Sequence, residues 1–212
     1  MKKNTLFVSI VVCTVLLSAC ATTLSDSEIS QRATAMLKAS FKESGQAKLD
    51  RLVQDDTQAT CSIYVGDNKL PKELETKIEA SNLASIKFPS DGVLLGDWKE
   101  GEKIAQSGIG KQFTDNPDNP SGGNCYACHQ LTKTELSYGN LGPTLYNFGK
   151  VRGYSEVITK YAYGKIANSQ AFSACSNMPR FGLAGAHGII LTEQQIKHVT
   201  ALLMDPASPV NH

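Results

Sequence analysis

Cys125-Tyr126-Ala127-Cys128-His129 is the stretch that decides how this chain is read. Two thiols and an imidazole at this spacing carry the attachment chemistry of a c-type haem. The cysteines add across the porphyrin vinyl groups as thioethers, and the adjacent histidine turns back under the ring to offer Nε2 to iron. A bare Cys-X-X-Cys serves equally as a dithiol redox pair or as half a zinc site. Three features argue against both uses. The chain has no second Cys-X-X-Cys, no thioredoxin-like βαβ pattern surrounds the first, and Met178 follows His129 by 49 residues. One covalently bound haem c is therefore the expected cofactor.

Attachment of this kind requires export, and the N-terminus supplies the signal. Lys2 and Lys3 precede an apolar run over 6–17 and then small residues, the pattern of a secretory signal. The run is too short for a membrane span of ~20 residues. Leu17-Ser18-Ala19-Cys20 resembles a bacterial lipoprotein box, in which Cys20 is lipidated and becomes the mature N-terminus. Ala19-Cys20-Ala21 also fits ordinary cleavage after Ala21. Either route leads to a periplasmic protein, and the first anchors it to the membrane through Cys20. The chain thus divides into a signal peptide at 1–20, a helical extension at 21–95 and a haem domain at 96–212.

Charge excludes one class of partner. The 21 basic and 20 acidic residues nearly cancel, so there is no basic excess for nucleic acid to meet. Cysteine counting adds a pairing. Of six cysteines, Cys13 leaves with the signal, Cys20 is lipidated or removed, and Cys125 and Cys128 go to haem. Cys61 and Cys175 remain, an even pair in an oxidising compartment. Bridged, they close a long loop worth roughly 4–5 kcal/mol on the chain-entropy argument; the alternative is two buried free thiols.

Periodicity places the rest. Ile29, Ala33, Met36, Leu37 and Phe41 recur at helical spacing after a cap at Ser27, and the stripe is expected to face a core. Residues 48–53 are expected to resume that helix, and Pro71 to open another bearing Leu74 and Ile78. Asp97 and Glu100 start a helix with Trp98, Gly101, Ile104, Ala105 and Gly108 on one face. A short helix is expected near 155–163. Near the end, Thr192 and Gln195 form a capping box, Leu191 and Ile196 a hydrophobic staple, and Asp205-Pro206 a stop. Two flanking helices, a haem motif and a distal methionine make a mainly α, class I cytochrome c plan.

Iron needs a sixth ligand. Met178 sits in a loop stiffened by Pro179 and ended by Gly182; Met204 belongs to the last helix as core packing, and His187 is the remaining rival. With His129 and Met178 on iron no position is left for substrate, so the chemistry is one-electron transfer. Pro143 can offer its carbonyl to the His129 Nδ1–H. Arg152 and Arg180 are candidate partners for the haem propionates.

Together these residues resemble SoxX, the monohaem cytochrome subunit of the SoxAX complex of bacterial sulfur oxidation. The resemblance rests on GGNCYACHQL (122–131), GNLGPTLYNFGKVRGY (139–154), AFSACSNMPRFG (171–182) and ILTEQQIKHVTALLMDPASPVN (190–211), and extends through GDWKEGEKIAQSG (96–108). His187 and the lipoprotein box depart from the family pattern. The resemblance implies an electron-relaying subunit of a thiosulfate-oxidising L-cysteine S-thiosulfotransferase. It implies as partners a SoxA-like cytochrome, the SoxY carrier of SoxYZ, and a downstream cytochrome c that accepts the electrons. A freestanding periplasmic electron-carrier cytochrome c is the other reading of the same site.

Overall fold

Among the described residues, capping side chains start five of the seven α-helices. The computed structural model describes residues 24–66, 68–183 and 188–212; the signal segment with Cys13 and Cys20, and His187, lie outside them. Helix α1 (Asp26–Ser40) starts at Ser25, whose hydroxyl accepts from the Glu28 N–H while the Glu28 carboxylate accepts from the Ser25 N–H at 2.9 Å. The cap is Ser25 and not the expected Ser27, because only Ser25 has an acid three residues on to complete the box. Its stripe does not face a core: Ile29, Met36 and Leu37 are 51%, 71% and 55% exposed. The stripe is thin, with the single methyl of Ala33 between Ile29 and Met36. Helix α1 belongs to a unit that ends at Phe41.

The second unit runs Lys42–His212. Residues 42–95 therefore belong to the same compact unit as the Cys-X-X-Cys-His motif. The helix expected over 48–53 is one 3₁₀ turn, Leu49–Leu52, whose Arg51 donates to the carbonyls of Gln46 and Lys111. Helix α2 (Asp56–Ile63) is capped by Asp55, and α3 (Lys72–Ser85) follows Pro71. Buried Ile78 and Asn82 turn α3 inward, where Asn168 donates to Asn82 Oδ1 at 2.9 Å.

Helix α4 (Trp98–Gln106) and the last helix, α7 (Glu193–Met204), form the main helix pair. Their approach is backbone to backbone. A methyl group at Gly101 would stand 2.1 Å from the His198 carbonyl oxygen, so glycine is required there despite its cost inside a helix. His198 holds the crossing as well: its Nδ1 accepts from the Asp97 N–H at 2.8 Å. The expected capping box forms at Thr192 and Gln195, and α7 ends at Met204 before Asp205. Between the pair lie α5 (Phe148–Arg152) and α6 (Glu156–Ala167). Leu131, Tyr163, Ile166, Leu191, Val199, Leu202 and Met204 form the buried cluster, and Met204 is core packing as expected. The chain is mainly α. Helices α4 and α7 cross, with the Cys-X-X-Cys-His turn between them in sequence, an arrangement consistent with the expected cytochrome c-like fold.

Candidate haem-binding site

The loop before the motif is stitched to the end of α4. The N–H groups of Gly122, Gly123 and Asn124 donate to the carbonyls of Ile109, Ile104 and Ser107, each at 2.8 Å. Asn124 then adopts a left-handed conformation, φ +46°, a region asparagine tolerates well, and the chain reverses into the 3₁₀ turn Cys125–Ala127. The N–H groups of Cys128 and His129 both donate to the Cys125 carbonyl, at 3.1 and 2.9 Å. This fold-back puts both free thiols and the imidazole on one turn. Burial pushes the Cys125 thiol up to about 12, with neighbouring Cys128 acting in the same direction. Among the described residues no three His, Cys, Asp or Glu side chains group to hold a metal ion.

His129 is buried and fixed. Its Nδ1 lies 2.7 Å from the Pro143 carbonyl oxygen, which can only accept, so the ring donates from Nδ1 and presents Nε2 at its other edge. The 139–145 segment is held over the motif by Gly139 N–H to the Tyr126 carbonyl, Gly142 N–H to Cys128 and Leu145 N–H to Gln130. Gly142 presses on the ring itself: a methyl group there would lie 2.1 Å from His129 Cε1. A cleft of about 720 Å³ on the flank of the motif is lined by Asn124, Tyr126 and residues 135–139, but by neither His129 nor Met178.

Met178 is held on a separate loop. Its N–H donates to Ser176 Oγ at 3.2 Å and its carbonyl accepts from Ser169 Oγ at 2.6 Å, while its half-buried side chain packs on the core cluster. Cys61 and Cys175 form a disulfide across 114 residues. Arg180 pairs with Asp55, and Arg152, exposed, stacks over Phe148 at 5.1 Å and Tyr161 at 5.9 Å. Burial works to raise the Asp55 carboxyl, but the Gln58 N–H and the Arg180 guanidinium outweigh it and hold it below the usual carboxylate range. Sequence reasoning missed Asp55, although Asp55 and Gln58 form a legible capping box. It also missed the close approach at Gly142, which depends on the His129 ring thirteen residues earlier in the chain.

No family model matches the chain. An uncharacterized lipoprotein of Aquifex aeolicus (strain VF5) is 34% identical over 184 residues, which cover 84% of this chain and 84% of that protein. This chain belongs to that lipoprotein's family. Among solved structures, the crystal structure of SoxXA from P. pantotrophus is similar over 58% of this chain and 90% of that one, with 24% identity and a TM-score of 0.40. Among the described residues, no helix is long and apolar enough to cross a membrane.

Proposed function

We propose that this chain is an exported monohaem c-type cytochrome that relays single electrons as the SoxX-like subunit of a thiosulfate-oxidising complex. The observation that carries the reading is the buried His129, its Nδ1 committed to Pro143 and its ring on the same turn as two unpaired cysteines. The donor set suits a haem c. Cys125 and Cys128 would hold the porphyrin, and His129 and Met178 would serve as axial ligands. When bound, haem supplies one-electron redox chemistry. The chain does the rest. Pro143 fixes the imidazole tautomer and ring plane, Gly142 allows the backbone to lie against that ring, and the Met178 thioether favours the reduced state. With His129 and Met178 both committed to the haem, this chain would offer thiosulfate no ligand position of its own.

A SoxA-like partner would join thiosulfate to the carrier cysteine of SoxY, a bond formation that releases two electrons. This chain would pass them singly to a downstream cytochrome c. Its relative's name as a lipoprotein and the Leu17–Cys20 box support a lipid at Cys20 that keeps the relay at the membrane surface. The test is a reconstitution with thiosulfate, a SoxA-like protein, SoxYZ and a cytochrome acceptor, each omitted in turn. Thiosulfate-dependent haem reduction in this chain only when the partner and carrier are present is the expected result. Full turnover without the chain would instead make it a freestanding carrier.

A further inference from the structure

Helix α2 stands in a part of the chain that carries no haem chemistry, yet it grips the Met178 loop at two points. At its start, Asp55 pairs with Arg180, whose side chain is only 18% exposed. Toward its end, Cys61 is bonded to Cys175. The anchors lie six residues apart on α2, about 9 Å at a 1.5 Å rise, and five residues apart on the loop. Asp55 meets the later loop residue and Cys61 the earlier one, so the loop runs antiparallel to α2 with Met178 between the anchors. Two serine contacts from Ser169 and Ser176 fix the Met178 backbone inside that frame. Nothing in the loop's own sequence supplies comparable rigidity except Pro179.

We infer that α2 is the positioning element for the axial methionine, with Asp55 acting through Arg180 and Cys61 through Cys175. The inference rests on the reading that Met178 binds haem iron. Arg180 is thereby assigned to the protein frame and not to a propionate. The ionic anchor is separable from helix capping, because Asp55→Asn keeps a side-chain oxygen for the Gln58 N–H while removing the charge.

The experiment compares oxidised, haem-loaded wild type with Asp55→Asn, Arg180→Lys and the Cys61→Ser/Cys175→Ser pair. Two readouts are taken: the near-infrared sulfur-to-iron charge-transfer band, and amide hydrogen exchange across 173–181. The expected result is a band at half intensity or less and exchange about tenfold faster in the cysteine variant. Asp55→Asn should shift both in the same direction by about twofold, and Arg180→Lys should keep most of the wild-type signal. Asp55→Asn retains both cysteines, so a cysteine variant that fails to fold leaves the test intact. A wild-type band that every variant retains, with unchanged exchange at 173–181, overturns the inference alone. A wild type that lacks the band, or keeps it in Met178→Ala, overturns the Met178 reading and the inference with it.

Discussion

Gly142→Ala puts a methyl group where the His129 ring lies, and the consequence can be sized. The new carbon would sit 2.1 Å from Cε1 and 2.5 Å from Nδ1, against an ordinary carbon contact of about 3.5 Å or more. Something must move by more than an ångström. The ring cannot yield cheaply, because it is buried and its Nδ1 is bound to the carbonyl of the very next residue, Pro143. The backbone cannot yield cheaply either, since the Gly142 N–H donates to Cys128 at 2.8 Å. Overpacking of this kind costs about 1–3 kcal/mol, and losing one of the two hydrogen bonds adds about 0.5–1.5 kcal/mol. The sum is about 1.5–4.5 kcal/mol. For a domain of this size that is a fall in melting temperature of roughly 3–18 °C. The assay is thermal unfolding by far-ultraviolet circular dichroism, with Leu141→Ala as control; Leu141 is 69% exposed, and its loss should stay within about 0.5 kcal/mol. A Gly142→Ala protein that melts with the wild type would refute the reasoning, since it would mean the 139–145 segment does not bear on the ring.

Peptide mapping without reduction should recover Cys61 linked to Cys175, and Cys175→Ser should cost stability up to the ~4–5 kcal/mol of the chain-entropy limit while leaving haem attached; two alkylatable thiols in the oxidised protein would contradict this. Asp55 is held below its ordinary value of 3.8, so its contribution is complete above that value and is lost as pH falls through the lower folded value. The stability gap between wild type and Asp55→Asn should therefore be constant from pH 7 to about 5 and close in more acid solution, as measured by urea titration at each pH. Cys20→Ala should move the protein from the membrane pellet to the soluble periplasmic fraction; equal pelleting of both forms would exclude a lipid at Cys20.

What the sequence determined by itself was everything governed by near neighbours or by covalent chemistry. The Cys125–His129 spacing, the Thr192–Gln195 box, the stop after Met204 and the starts of α4 and α6 all depend on residues within a turn or two of one another. The pairing of Cys61 with Cys175 was legible for a different reason: once the other cysteines had destinations, two were left. Tertiary structure alone decided which charges meet and which faces are covered. Arg180 finds Asp55 across 125 residues because α2 packs along the Met178 loop, and no local pattern distinguishes that partner from a propionate. The exposed stripe of α1 reads like a buried one, since periodicity reports amphipathicity but not what, if anything, lies against it. The segment 42–95 joins the haem domain for the same reason: its ties are long-range, through Gln46, Arg51, Asn82 and the disulfide. Gly142 is legible as a turn residue, but only the arrival of the His129 ring against its α-carbon makes a methyl group there intolerable.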